Sequence, residues 1–253
     1  MEHAARQLDL LEPLVLDAGQ QDRLLGLAAE AAGQPGGSHA SGAIIADFGQ
    51  GLLSPVLLQR LCGTLRPRAD VLAGDVSGKR SSLRAMRKMD LLCPSESELR
   101  AAYHEFDATL PAVVWRMLEE TIGRAATITM GPEGAIAFDR LPDADQDRAN
   151  LVRTRLRAEH VPSMVPYAID PLGCGDALLA TATLSLAAGG SLAAATLLGS
   201  VAAGGQAQRI GNLPVSATDV RHGVARLHTA HMAFAPSDVV EASAPRRAVV
   251  RAV

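Results

Sequence analysis

The stretch "IDPLGCGDALLATATLSLAAGG", residues 169–190, sets two acids, Asp170 and Asp176, around two glycines, Gly173 and Gly175, and then runs apolar. Glycine admits backbone angles that turn successive N–H groups toward one point, and a helix start adds partial positive charge there. A helix beginning at these glycines offers a place for an anion. Asp176, one residue inside, disfavours an anion unless it acts on a proton. The other reading is a first-turn acid that complements the dipole of a buried helix. The local pattern leaves both open.

Composition narrows the field. A chain of 253 residues with 48% hydrophobic and 20% charged residues suits one large α/β domain or two small ones. Aromatics are only 3%, too few for a base-stacking platform, and a net charge of −3 supplies no basic footprint, so no nucleic-acid partner is expected. Cys62, Cys93 and Cys174 show no paired or zinc-type spacing, and the opening "MEHAARQLDL" lacks the apolar core of a secretory signal. A reducing cytoplasm is the expected location. Residues 177–208 carry no charge, but "AAGGS" at 187–191 divides them into pieces shorter than the ~20 residues of a membrane span. They read as two buried helices whose small residues pack closely on a sheet.

Apolar runs and helix signals alternate along the chain. "AIIADF" (43–48), "DVLAGD" (70–75), "MDLLC" (89–93) and "AATITM" (125–130) read as strands, and "AIAFD" (135–139) as a hairpin partner across "GPEG". Ser54 with Pro55 starts a helix that Pro67 stops, and Ser95 with Glu98 has capping-box spacing. Residues 33–42 read as a Gly, Pro and Ser linker, and Ser216 or Thr218 caps a last helix. This alternation predicts a mostly parallel sheet covered on both faces, with ligands at the carboxyl ends of its strands.

"DPLGCGDA" (170–177) resembles the second signature of the ribokinase-like (PfkB) sugar kinases, D-T-x-G-A-G-D-[AST], at Asp170, Gly173, Gly175 and Asp176. Pro171, Leu172 and Cys174 depart from it. Five other stretches resemble that family in order, closest to its heptose 7-phosphate kinase branch. These are "ADFGQGLLSP" (46–55), "GDVSGK" (74–79), "LLCPSESEL" (91–99), "TMGPEGAIAFD" (129–139) and "QAQRIGNLPVSATDV" (206–220). Two further departures are Ser95, where the family has Asn, and Gln50, where that branch has Lys.

The resemblance implies a three-layer α/β/α sandwich using ATP and magnesium to phosphorylate a sugar phosphate. It implies Asp176 as catalytic base and the amides of Gly173, Cys174 and Gly175 as the anion hole. Glu98 would organise the metal, Thr129, Gly131 and Gly134 would lie by the nucleotide with Asp170, and Lys79 would approach phosphate. Plainer readings stand beside these: Glu98 as a capping acid, Lys79 as a solvated loop charge, Gly131 and Gly134 as turn glycines.

Only 46 residues precede Asp47, whereas the family places a glycine-rich sugar motif and lid strands there. The expectation is therefore an N-terminally shortened fold: a segment and linker over 1–42, a nucleotide-binding core over 43–235 and a tail over 236–253. A homo-oligomer, or a partner chain completing the site, is expected. The alternatives are a degenerate non-catalytic subunit or binding protein of the same family, and a fragment of a longer kinase.

Overall fold

A computed structural model of the chain describes residues 14–34, 40–77, 82–141 and 156–234. Lys79 and the expected tail, 236–253, lie outside the described residues. Six strands form one sheet in the order of the chain: β1 (Ala40–Asp47), β2 (Ala69–Val76), β3 (Leu91–Leu92), β4 (Ala125–Thr129), β5 (Ala135–Arg140) and β6 (Leu156–Val161). β1 to β4 run parallel, and β5 alone is reversed, pairing antiparallel with both β4 and β6, so the sheet is mixed. The linker expected to reach residue 42 ends earlier. Ala40 and Gly42 pair with Ala69 and Val71, because extended backbone beside β2 finds hydrogen-bond partners there that a loop would lack.

The helices start where short polar side chains can cap them. In α1 (Ala18–Ala32) Asp17 and Gln20 form a reciprocal capping box. In α2 (Pro55–Leu65) Ser54 Oγ accepts the Leu57 N–H, and Pro55 fills the first turn, where no donor is needed. Ser95 and Glu98 close a capping box on α3 (Glu96–Tyr103), and α4 (Leu110–Thr121) follows. Beyond the strands come α5 (Cys174–Ala187), α6 (Leu192–Ala207) and α7 (Ala217–Phe234). Of the two expected caps for α7, Ser216 is the one used: its Oγ accepts the Asp219 N–H.

Strand alternation sends side chains to two cores. Leu72, Leu92, Ile128 and Phe138 meet Leu58, Leu61, Leu99, Val114 and Met117 on the α2 to α4 side. Ala73, Leu91, Ala125 and Ala137 meet Leu178, Leu179, Ala182 and Ala195 on the α5 and α6 side. The second core is built of small residues, so its helices lie close. A Cβ on Gly199 of α6 would come within 2.8 Å of the Leu178 carbonyl of α5. A polar link crosses from sheet to helix: Thr127 and Thr196 share a buried hydroxyl hydrogen bond of 2.9 Å. This is the expected three-layer sandwich. Among the described residues no helix is long and apolar enough to cross a membrane.

Candidate active site

Parallel strands bring their carboxyl ends to one side, and the start of α5 is tied there by the turn before it. The Leu172 N–H donates to Asp170 Oδ1 at 3.0 Å, and the Gly211 N–H donates to Asp170 Oδ2 at 2.9 Å. These two bonds, the Leu172 one first, hold the Asp170 carboxyl below the usual range. Asp170 thus braces the glycine turn against the loop after α6. Gly173 is the N-cap at φ 80°, an angle that calls for glycine, and a Cβ there would have to displace the exposed Asn212 side chain.

The first helical bond of α5 runs from the Ala177 N–H to the Gly173 carbonyl. Of the three amides expected to form the anion hole, that of Cys174 is turned inward, donating to the Pro171 carbonyl at 3.2 Å. The N–H groups of Gly173, Gly175 and Asp176 have no partner among the described residues. A tight turn entering the helix uses the first donor and leaves the next two for an anion.

Asp176 is exposed in the first turn of α5. Two further acids belong to its electrostatic neighbourhood. Asp75, the penultimate residue of β2, has its carboxyl pushed up to about 7 by burial first, then by the charges of Glu98 and Asp176. Glu98 also performs the capping role: Oε2 accepts the Ser95 N–H at 2.9 Å and the Ser95 hydroxyl at 2.6 Å. Among the described residues no three His, Cys, Asp or Glu side chains come close enough to enclose a bare metal ion. The donor set instead suits a magnesium ion held by one or two carboxylates, with water and substrate phosphates completing its shell. Burial, and after it the charges of Glu98 and Asp176, raise Asp75, and a cation beside it would offset both.

Asp75 carries no role in the sequence reading, although it stands in the "GDVSGK" stretch. The available signal was an acid ending an apolar run on a parallel strand, where ligands collect. Asp47, the last residue of β1 and level with Val76 rather than Asp75, is internally satisfied: it accepts the Gly49 N–H and the Ser82 hydroxyl.

On the other flank Thr129 ends β4, its N–H donating to the Pro94 carbonyl just before the α3 cap. Gly131, at φ 58°, faces open space, whereas a Cβ on Gly134, at φ 93°, would lie 2.2 Å from the Val161 carbonyl. Gly134 is thus required by packing against the end of β6. A cavity of about 610 Å³ opens between the segment before α5, α6 and α7, lined by Met164, Val165, Val201, Arg209, His222 and Leu227 among others. Its wall continues into the active-site loop. Arg209, paired with Asp219 at 2.5 Å, lies between Gln206 and Gly211, which hold the glycine turn.

Residues 57–217 match the pfkB family of carbohydrate kinases. The bifunctional protein HldE of Pseudomonas syringae pv. tomato is 26% identical over 185 residues, 72% of this chain and 35% of the relative. The HldE of Geobacter metallireducens is 28% identical over 208 residues, 81% of this chain and 38% of the relative. The chain therefore spans little more than a third of these relatives. Among solved structures, Escherichia coli phosphofructokinase-2 in complex with potassium superposes with a TM-score of 0.64 at 19% identity, covering 84% of this chain and 63% of the other. Arabidopsis thaliana ribokinase complexed with ribose and ATP gives 0.57 at 14% identity, covering 80% and 59%. These two likenesses establish the fold.

Proposed function

Because the chain belongs to the pfkB family of carbohydrate kinases, we propose that it transfers the terminal phosphoryl group of ATP to a hydroxyl of a sugar phosphate of the heptose type. The observation that carries this reading is the convergence of a glycine-capped helix start with free amides and three coupled acids, Asp75, Glu98 and Asp176. The likeness to HldE supports a heptose substrate. Asp176 takes the proton from the acceptor hydroxyl as its oxygen attacks phosphorus, and the amides of Gly173 and Gly175 receive the transferring phosphate. The cavity beside Met164 and Val201 has the size and mixed lining of a nucleoside site. Thr129 and Gly131 edge the nucleotide from β4. Magnesium, when bound, supplies neutralising charge to the phosphates, and Asp75 and Glu98 are the residues that would hold it.

Glu98 separates capping from metal binding in a single variant. Glutamine also closes a capping box, so Glu98→Gln keeps the helix start and removes the charge. The expected result is a severalfold higher magnesium requirement at nearly unchanged melting temperature. A lower melting temperature with the same magnesium dependence would leave Glu98 as a cap alone.

Among the described residues the same sheet has an open margin. β1 stands at one end of the strand order, no described strand pairs with its outer side, and "ASGAIIAD" contains neither Lys nor Pro to discourage pairing. Ile44 and the following Phe48 are exposed. A second copy of the chain fits this margin. Two-fold antiparallel pairing with Ile44 opposite the twin's Ile44 sets Asp47 against Ser41 and avoids a like-charge contact. On this reading the single chain binds ATP or ADP more readily than any sugar, and sugar phosphorylation appears with the paired form. Calorimetry with nucleotide and heptose phosphate, alongside the mass in solution, tests both statements. Efficient phosphorylation by a monomer overturns the pairing, and nucleotide binding with no turnover in any state favours the non-catalytic alternative.

A further inference from the structure

Gln206 is 1% exposed in the last turn of α6, yet its side chain spends both amide protons on loop carbonyls: Nε2 donates to Leu172 O at 3.1 Å and to Gly211 O at 2.9 Å. Its Oε1 is buried with no partner among the described residues. Turning the amide over would set that oxygen against two carbonyl oxygens, so the observed orientation is the only favourable one. The Leu172 carbonyl belongs to the peptide that enters Gly173. In a trans peptide C=O and N–H point in opposite directions, and the described chain has no cis bonds. Pulling the Leu172 oxygen inward therefore drives the Gly173 N–H outward. Glycine at φ 80° leaves this peptide plane easy to rotate, and rotation would aim a carbonyl oxygen where an anion should sit.

We infer that Gln206 is a positioning residue that locks the Leu172–Gly173 peptide with its N–H facing the phosphate, so that the anion hole is formed before ligand arrives. The inference rests on the anion-binding part of the proposal above. Asp170 closes the other side of the frame through the Leu172 and Gly211 amides, and the Ala207 carbonyl receives the N–H groups of Ile169 and Asp170. A buried acceptor left without a partner lowers stability. The two donors offset that cost only while they hold the Leu172 and Gly211 carbonyls, and an apolar side chain of the same volume would release both.

That contrast supplies the test. Gln206→Met keeps the volume and removes the donors. It is expected to melt at or a little below the parent, to bind inorganic pyrophosphate and ATP about tenfold or more weakly, and to bind adenosine unchanged. Equal pyrophosphate affinity in the two proteins, equal losses for adenosine and ATP, or no pyrophosphate binding by the parent would each overturn it. Should the variant fail to fold, the parent alone decides by nitrogen-15 NMR: the Gly173 amide resonance must move on adding pyrophosphate, and a resonance that stays put rejects the lock. A parent that binds pyrophosphate in this Gln206-dependent way but phosphorylates no sugar retires the kinase proposal and leaves this one standing.

Discussion

Asp176→Asn is expected to lower turnover by about a hundredfold or more, since a positioned general base contributes 10²–10⁴. Asparagine matches aspartate in shape, so the first turn of α5 and its exposed setting are retained. The substitution also removes a negative charge beside the anion site and the dipole interaction of a first-turn acid, worth about 0.3–1 kcal/mol. The second loss is small in stability. The first favours a triphosphate, so nucleotide affinity should hold or rise while the rate collapses. Single-turnover rates and direct nucleotide titration separate the two quantities. Parent-like turnover in Asp176→Asn would remove Asp176 from the chemistry and return it to the role of a dipole-complementing acid.

The second large effect is on stability against pH. Burial and the charges of Glu98 and Asp176 push Asp75 up to about 7 from the usual carboxylate value of 3.8. Between those values the folded chain keeps a proton that the unfolded chain has released. Stability therefore falls as pH rises through this window and is lowest above 7. A shift of about three units corresponds to roughly 4 kcal/mol in full, an upper figure for a half-buried group. Asp75→Asn is neutral throughout, so urea denaturation should show the variant more stable than the parent at pH 8 and close to it below pH 4. Magnesium should stabilise the parent more at pH 8 than at pH 5, because it meets an ionised carboxylate there. Parallel pH curves for parent and variant would remove Asp75 from the charge cluster.

Features carried by neighbouring residues could be read from the sequence. Ser54 before Pro55, the Ser95 and Glu98 spacing, and the turn at "GPEG" each resolve within four residues, and each forms as its spacing predicts. The glycine-capped start of α5 was legible for the same reason. Features made by distant segments were not. Asp75 acquires its raised carboxyl only when β2 is buried beside α3 and α5. Gln206 acquires its partners only when α6 returns its last turn to the 170–173 segment. The Cys174 amide is a local exception: it turns inward to the Pro171 carbonyl three residues back, at a position where the sequence departs from the family's Thr. Charge and hydrogen bonding across the fold decide these sites, and periodicity is silent about them.

The strand order has a consequence for how the molecule is made. Each strand pairs with the one synthesised just before it, from β1 through β6. The sheet can grow on the ribosome without waiting for a distant partner, and nearby contacts of this kind speed folding. Its two faces are not completed together. The α2 to α4 side is furnished between the strands, while Ala73, Leu91, Ala125 and Ala137 must wait for α5 and α6, which leave the ribosome after the last strand. The nascent chain thus carries one open apolar face through most of its synthesis. The helix pair that ends this exposure is also the one that brings Asp176 and Gln206, so the chain gains its chemistry in the same step that seals its second face.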